Sequence, residues 1–375
     1  MVVLDIERPL GVSGLLEVAG TAPGAGRSPR VRPETGRAVP SRAHRSSWEP
    51  LSGDALLERL RITGRPRPAA HPDLVQRLRS VLESGLADQA PRPAEGRDGP
   101  PVSDTDPLPS PVLVTKERLH RALACDAHSV ATGSGPRPFS PSLACGALID
   151  VLFRQLVTVG GIGDPMTDGL AALAVDDHQA DLRSWIDGLA GPERDEVRAE
   201  VERQAEGLRR RWPALDPGWL PRTQQAMRVR LADGCVELSA RVDLAIGRPA
   251  RDEASVAIVE VASGSRRVEH RADLHFYALI EALRSPAPPF VVATYYSRTG
   301  ELDVDPVTDE LLVGAARRTL VGTRRLRHPD VGAESGRGPS PWCSRCSILL
   351  EGDLGPWPVT GTVPDPVSPT IGGGR

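Results

Sequence analysis

Residues 236–277 place the strongest constraint on what this chain can fold into. They contain an alternating run (VELSARVDLAIG), a run that is apolar on both faces (SVAIVEV) and an amphipathic helical pattern (RADLHFYALIEALR). Alternation predicts a half-buried strand, and the apolar run predicts a central strand covered on both sides. The segment is therefore expected to form strand, strand and helix, with the acidic residues Asp243 and Glu260 on neighbouring strands.

The alternation also assigns a face to each residue of the first strand. We expect its apolar face to consist of Val236, Leu238, Ala240, Val242, Leu244 and Ile246. Asp243 then points away from that face. Glu260 lies inside the second, buried strand, where a carboxylate is costly unless a cation compensates it. Two partners are open for Glu260: an arginine such as Arg241 on the neighbouring strand, or a divalent metal shared with Asp243.

The flanking sequence extends this unit in both directions. A long helix is expected from about 193 to 212, and Asp233-Gly234 is a two-residue hairpin signal between alternating strands. After the helix that begins near residue 270 comes a further apolar strand, PFVVATYYS. The predicted order is helix, three strands, helix, strand, which is an α/β arrangement.

These residues resemble the PD-(D/E)XK nuclease superfamily, and in particular its RecB-like branch, which includes the CRISPR-adaptation exonucleases. In that branch a Gly-x-x-Asp strand precedes an (Asp/Glu)-x-Lys strand, and a helix with Gln-x-x-x-Tyr follows. Asp243 matches the first acid, residues 260–264 (EVASG) match the second motif, and Asp273 and Tyr277 match the third. Together, the order and spacing of the motifs are more specific than any one of them.

Two further motifs upstream and one near the end of the chain extend the resemblance to about residues 112–350. TKERLHRALACDAH is similar to the early helix of the family, with Cys125 at its cysteine. GALID is similar to the family's Gly-x-x-x-His, with Asp150 in place of the histidine. PWCSRC is similar to the cysteine pair that closes an iron–sulfur loop in some members.

The resemblance implies a restriction-endonuclease-like αβββαβ core with additional N-terminal helices, acting on DNA. It implies that Asp243 and Glu260 hold Mg²⁺ or Mn²⁺, with Asp150 and Asp273 as additional groups around the metal. The ion would activate a water for phosphodiester hydrolysis. Tyr277 would line the cleft, or would be an ordinary buried core tyrosine.

The chain departs from the family pattern at the catalytic lysine. That position is occupied by Ala262, and the only lysine in the sequence, Lys116, lies in the early helix. Arg241, Arg266 or Arg267 could supply a replacement cation, but a guanidinium stays protonated and cannot act as a base. The alternative function is therefore a catalytically inactive, nuclease-like subunit that binds DNA or acts as a scaffold. A different enzyme built on the same cleft is a third alternative, because a fold does not determine a function.

The cysteines form a second candidate site. Cys343-Ser-Arg-Cys346 has the spacing with which two thiolates share one metal, and Cys125-Asp-Ala-His128 places a histidine one helical turn from the early cysteine. These four residues could form a Cys₃His zinc site or an unusual iron–sulfur cluster. The iron–sulfur relatives use four cysteines, so the alternative is a site that has lost its metal.

DNA binding has to come from a local patch, because the net charge of the chain is -3. The densest basic groups near the proposed site are Arg209, Arg210, Arg211, Arg228, Arg230, Arg266 and Arg267. They could contact phosphates. The arginines at the end of the long helix could equally complement the helix dipole.

Composition divides the chain into three parts. Residues 1–110 are expected to be a partly disordered extension with one or two helices, 111–354 the nuclease-like domain, and 355–375 a flexible tail. The better helix of the extension, PDLVQRLRSVLESGL, needs a partner surface, either the core or another protein. No signal peptide or membrane segment is expected from the first residues, so a cytoplasmic location is predicted.

Overall fold

The structure is a computed structural model that describes residues 52–61, 73–87, 111–125, 138–176, 179–248 and 256–327. Its helices are α1 (Gly53–Leu60), α2 (Leu74–Ala87), α3 (Lys116–Leu123), α4 (Pro141–Val159), α5 (Pro165–Ala174), α6 (Ala180–Asp187), α7 (Gly191–Arg211), α8 (Val268–Arg284) and α9 (Asp309–Arg327). Its strands are β1 (Val112–Val114), β2 (Arg222–Leu231), β3 (Val236–Gly247), β4 (Val256–Ala262), β5 (Val291–Tyr296) and β6 (Glu301–Pro306). The predicted order of helix, three strands, helix and strand is confirmed from α7 to β5, and the fold class is α/β.

The six strands form one mixed sheet with helices on both faces. On one face of the sheet, side chains from α1, α4, α5, α6 and α7 form one buried cluster with side chains of the strands. We call this cluster the α4 layer. Side chains from α2, α3, α8 and α9 share a second cluster with the other face, the α8 layer. The chain thus buries apolar side chains on both sides of its central strands, as their composition predicted.

The sheet has a gap along one edge of β3. On one side β3 pairs with β2 from Val236 to Ala245, interrupted only at Asp243. On its other side the parallel strand β1 pairs with residues 236–238, and the antiparallel strand β4 pairs with residues 244–247. Residues 239–243 therefore have no strand partner on that side within the described part of the chain. Strands β3 and β4 separate here, and this leaves room for side chains in the plane of the sheet.

The helix ends follow the capping residues that the sequence supplies. Thr115 caps α3 by accepting a hydrogen bond from the Arg118 amide, and Ser140 caps α4, which has proline at its first position. Helix α4 ends at Gly160, whose φ of 82° lies in the left-handed region that favours glycine. Helix α3 stops at Leu123, two residues before Cys125.

The predicted hairpin between β2 and β3 is present, but its loop is longer than expected. Leu231 pairs with Val236, so the loop contains the four residues Ala232–Cys235. Ala232, Asp233 and Gly234 all have positive φ. The two-residue turn predicted from Asp233-Gly234 was therefore wrong in length, because the chain turns over three left-handed residues rather than two.

The assignment of faces along β3 is correct only up to Asp243. Val236, Leu238 and Val242 pack in the α8 layer as predicted, but Leu244 and Ile246 pack in the α4 layer. The side chains change faces at Asp243, which is level with the gap. Opposite Asp243 on β2 lies Gln224, whose φ of 52° is left-handed. This local twist of the ribbon interrupts the alternation on which the sequence prediction depended.

The N-terminal helices pack on the core. The buried stripe of α2 lies in the α8 layer with side chains of α8 and α9, and Leu56 and Leu60 of α1 lie in the α4 layer.

Helix α4 is long and apolar enough to cross a membrane by those two criteria alone. Its inward side chains are buried in the α4 layer, and a core helix passes the same test of length and composition. Segments 21–50 and 355–375, predicted to be loose, lie outside the described residues.

Helix α3 depends on a close contact with α9. A Cβ added to Gly322 would lie 2.5 Å from Leu119 Cδ2 of α3. We expect Gly322→Val to force the two helices apart and lower the free energy of unfolding by about 1–3 kcal/mol. Urea denaturation followed by circular dichroism measures this change.

Gly314 provides the matched control on the same helix. A Cβ there meets nothing within 4 Å. Gly314→Ala should be neutral or should raise the stability by about 0.5–1 kcal/mol, because alanine favours the helix. Equal losses in both variants would show that α3 and α9 do not depend on this contact.

Candidate active site

The gap beside β3 brings together side chains from six elements. Asp243 comes from β3, Glu260 from β4, Asp150 from α4 and Asp273 from α8, and these are the four acids that the sequence predicted. Two unexpected side chains join them: Lys116, the first residue of α3, and Gln224 of β2. Because β1 pairs with the start of β3, the chain leaving β1 delivers Lys116 to the same gap.

Lys116 is the cation that contacts Glu260, while Arg154, one turn after Asp150 on α4, pairs with Asp150 at 3.5 Å. The Lys116 Nζ lies 2.5 Å from Glu260 Oε1 and 4.0 Å from Asp273 Oδ2. The side chains of Glu260 and Asp273 are only 14% and 10% exposed, so water screens these charges poorly. Glu260 was expected to pair with an arginine if it held no metal, with Arg241 as the example. That expectation was wrong, because the one lysine of the chain occupies the position.

Gln224 connects the other two acids. Its Nε2 donates hydrogen bonds to Asp150 Oδ1 at 2.9 Å and to Asp243 Oδ1 at 3.4 Å. The second oxygen of Asp243 accepts a hydrogen bond from the Val261 amide at 2.7 Å. A left-handed backbone at a non-glycine residue such as Gln224 costs about 1–2 kcal/mol. Such a cost is typical of residues that are held in place for a function.

The acids repel one another because they are buried together. Burial raises the pKa of Asp243 well above its ordinary range, and the charges of Glu260 and Asp150 raise it further. Burial also raises the pKa of Glu260 and of Asp150, although Lys116 opposes both shifts. A concentration of negative charge of this kind is the arrangement that binds a cation.

Lys116 remains protonated in this environment. Burial alone lowers the pKa of Lys116, but the negative charge of Glu260, followed by Tyr277 and Asp273, raises it by more. The net pKa lies above the ordinary lysine value. Lys116 therefore supplies a fixed positive charge at neutral pH, and it is not available as a base.

Two buried polar atoms at the site have no well-formed hydrogen bond to any residue that the structure describes, although their side chains lie close enough to affect each other. These are Glu260 Oε2, the oxygen that Lys116 leaves unbound, and the hydroxyl of Tyr277. Lys116 Nζ lies 5.5 Å from the centre of the Tyr277 ring, so both atoms are close to the lysine. Tyr277 is 1% exposed and packs in the α8 layer. Unpaired buried polar atoms are costly, so a ligand or water atom between them would be stabilised.

Two further basic side chains lie near Asp273. His120, one turn after Lys116 on α3, has its Nε2 2.6 Å from Asp273 Oδ1. Arg318 of α9 is 7% exposed; burial lowers the pKa of its guanidinium, and the charge of Asp273 opposes that shift. Asp273 is thus hydrogen-bonded to His120, lies 4.0 Å from the Lys116 ammonium and is close enough to Arg318 to affect its pKa.

The described residues do not form a ready-made metal site. Among them, no group of three or more His, Cys, Asp or Glu side chains is arranged to hold a metal ion. The carboxylates that the sequence predicted as ligands are instead bound to Lys116 and Gln224. The donor set nevertheless suits a hard divalent cation, since it consists of carboxylate oxygens, one of them unpaired. Binding would require Lys116 or Gln224 to release part of its contacts.

The second predicted metal site falls largely outside the described residues. His128, Cys343 and Cys346 lie in segments that the structure does not describe, and only Cys125 is described, as a buried residue. The proposed zinc or iron–sulfur site stays a prediction. Of the two remaining cysteines, Cys145 is buried as expected, whereas Cys235 is exposed because it lies in the β2–β3 loop.

The predicted basic residues lie in three separate places. Arg228 and Arg230 both pair with Glu237, and Arg230 lies six residues along β2 from Gln224, which is about 20 Å. At the end of α7, Arg209 donates to the Ile162 and Gly163 carbonyls and Arg210 pairs with Glu206; the neighbouring Arg211 packs beside Gly300. Only Arg266 and Arg267, between β4 and α8, follow directly from the strand that carries Glu260.

Comparisons with known proteins do not identify a family for this chain. No family model matches the chain, and no curated protein matches it. Among solved structures, the crystal structure of SSO0001 matches 64% of this chain and 96% of that one, with 10% identical residues and a TM-score of 0.23. A TM-score this low supports no conclusion about fold or function.

The repulsion at Asp243 leads to a testable consequence for stability. A carboxyl whose pKa is raised on folding destabilises the folded state above the pKa of an unfolded aspartate, roughly 3.9. We expect Asp243→Asn to raise Tm by about 2 °C or more at pH 7.5 in the presence of EDTA. The gain should shrink as the pH falls toward 4, because the carboxyl then becomes neutral.

Calorimetry of wild type, Asp243→Asn and Asp195→Asn at both pH values measures this effect. Asp195 is an exposed residue of α7, so its variant makes the same change of charge without changing burial. A lower Tm for Asp243→Asn at pH 7.5 would mean that its hydrogen bonds outweigh the repulsion.

Proposed function

We propose that this protein is a metal-dependent deoxyribonuclease of the PD-(D/E)XK type in which Lys116 replaces the missing motif lysine. The observation that supports the proposal is the convergence of Asp150, Asp243, Glu260 and Asp273 around this one lysine. Four elements that are distant in sequence contribute these acids, and their mutual repulsion makes the arrangement costly. A site of this kind is typical of function rather than stability.

The place of the lysine in the fold supports the substitution. In the resembling nucleases the lysine follows the second acid by two residues on the same strand, at the position of Ala262 here. In this chain the ammonium group reaches Glu260 from α3 instead. The restriction-endonuclease-like core that the resemblance implies remains part of this proposal, and the element order from α7 to β5 agrees with it.

Asp243 and Glu260 would hold Mg²⁺ or Mn²⁺, with Asp150 and Asp273 around them. When bound there, such an ion supplies a Lewis acid and lowers the pKa of its water. Glu260 has an unpaired oxygen for this role, and Gln224 orients Asp243 and Asp150. Lys116 stays protonated, so its contribution is to stabilise negative charge that develops on the phosphate. His120 keeps Asp273 oriented through its hydrogen bond.

The second candidate is a nuclease-like subunit that binds DNA without cleaving it. The ion pair between Lys116 and Glu260 favours it, because an ammonium group already neutralises the carboxylates that would otherwise bind metal. In this alternative the acids and Lys116 have a structural role and stabilise the gap beside β3. DNA would remain the partner in both candidates. A cytoplasmic location, and a protein partner at the N-terminal helices, stay predictions.

Cleavage of labelled single- and double-stranded DNA tests the proposal. With Mg²⁺ or Mn²⁺ the wild type should cleave, Asp243→Asn should be inactive, and Asp195→Asn should equal the wild type. Metal binding is measured in parallel by calorimetry. If the purified wild type binds DNA but neither metal nor cleavage is detected, the second candidate is correct.

The role of Lys116 has a separate test. Lys116→Met should lower kcat by roughly 100-fold or more with little effect on KM, because the charge acts mainly in the transition state. The change also leaves Glu260 unpaired, so thermal melting must accompany the kinetics.

Moving the lysine separates the chemical role from the structural one. Lys116→Met combined with Ala262→Lys returns an ammonium group to the strand that carries Glu260. Partial recovery of kcat is expected if the charge itself is required. Full folding of the double variant without any recovery would show that Lys116 does not act in cleavage.

A further inference from the structure

A cleft of about 480 Å³ opens beside the acidic site, between the first turns of α8 and strands β5 and β6. Its lining includes Arg266, Arg267, Arg271, Thr294, Tyr296 and Asp303. None of the roles described above uses this cleft as a whole. Three arginines in one concave surface are typical of a site for a phosphate or another anion.

The strand register places the cleft next to Glu260. Glu260 of β4 is the direct partner of Thr294 of β5, and Thr294 is the partner of Asp303 of β6. Paired residues point to the same face of a sheet, and neighbouring strands are about 4.8 Å apart. The cleft therefore begins one strand away from the acidic site. It also lies on the same face as that site.

One corner of the cleft, formed by Arg267, Arg271 and the first turn of α8, has the positive charge to bind a phosphate group, and we call it the phosphate corner. The guanidinium of Arg267 forms no hydrogen bond or ion pair with any residue that the structure describes. Arg267 is the capping residue of α8, which has no side-chain cap, so the first amides of this 17-residue helix have no side-chain acceptor, and Arg267 and Val268 at its start both line the cleft. Arg271, one turn later on α8, lies beside it and pairs with Asp305 at 2.7 Å.

The other part of the cleft offers a flat surface. The Arg266 guanidinium lies 5.4 Å from the centre of the Tyr296 ring, which is almost fully buried beneath it. Ion pairs with Asp303 at 2.6 Å and Glu301 at 3.4 Å hold the guanidinium in place. Nucleobases stack on guanidinium planes as they do on aromatic rings. Asp303 can also accept a hydrogen bond from an exocyclic amino group.

The charge of the lining matches a phosphodiester. Three arginines and the two aspartates Asp303 and Asp305 leave one positive charge in excess. A single phosphodiester carries one negative charge, whereas a polyanionic ligand would meet the carboxylates. The flat surface and the phosphate corner together have the complementarity expected for a nucleotide.

We propose that this cleft binds one nucleotide of a single-stranded DNA, with its base on Arg266 and its phosphate at Arg267, beside the phosphate that reaches Glu260. This inference rests on the proposed function, because it names the form of DNA that the same site receives. Arg267 thus binds the phosphate, and Arg266 stacks on the base.

Fluorescence anisotropy with a labelled ten-nucleotide oligothymidylate tests the assignment on the full-length protein. We expect Arg267→Gln to weaken binding about tenfold, which corresponds to the loss of one charged hydrogen bond. Arg198→Gln, at an exposed arginine of α7 that is not among the predicted DNA contacts, removes the same charge outside the cleft and should change the affinity less than twofold. Melting curves confirm that each variant is folded.

Competition separates the two halves of the cleft. Thymidine 5′-monophosphate should displace the strand at a lower concentration than thymidine or inorganic phosphate. Arg266→Lys keeps the charge but removes the stacking plane, so it should abolish the advantage of the nucleotide over phosphate. If phosphate competes as well as the nucleotide with the wild type, the cleft is an anion site only and the inference is overturned.

The outcomes also distinguish this inference from the proposed function. Binding that depends on Arg267, without cleavage of any DNA, would support the cleft and refute the nuclease. Cleavage whose KM is unchanged by Arg267→Gln would support the nuclease and refute the cleft. A wild type that does not bind the oligonucleotide at all would refute the inference as well.

Discussion

The repulsion between buried carboxylates is the constraint on which the centre of this structure depends. Asp150, Asp243 and Glu260 all have raised pKa values because they lie together away from water. The ammonium group of Lys116, with the guanidinium of Arg154 at Asp150, opposes this negative charge. The ammonium group reaches it from α3. Its position requires that β1 pair with the start of β3 and that α3 begin directly after it. The contact between Leu119 and Gly322 then holds α3 on α9.

The backbone accommodates this charge by interrupting the sheet. Between its pairings with β1 and β4, β3 leaves one edge open, and the Asp243 carboxylate binds the Val261 amide across the split. A side chain thus takes the place of a strand-to-strand hydrogen bond. Gln224 completes the arrangement from β2 in a left-handed conformation. The sheet therefore has fewer strand-to-strand hydrogen bonds at the point where the acidic side chains lie.

Local sequence patterns predicted most of the elements, because caps, alternation and helical stripes act over short distances. The four acids were also predicted, since the motifs that carry them have fixed spacing. Lys116, His120 and Gln224 were not assigned to the site, because their places depend on pairings between β1 and β3 and between β2 and β3 that no local pattern encodes. The change of face at Asp243 was missed for the same reason. Its cause is a twist imposed by the partner strand rather than by the alternation of β3 itself.

The ammonium group of Lys116 is also the only side-chain amine in this sequence. Every other basic side chain is a guanidinium or an imidazole, and neither reacts as an aliphatic amine does. Reductive methylation, which is selective for amines, would therefore modify this one side chain besides the α-amine, and only when the ion pair with Glu260 opens. The rate of that modification would report the opening of the site directly. Because Lys116 is the one lysine of the sequence, this reaction follows the central ion pair without interference from other lysines.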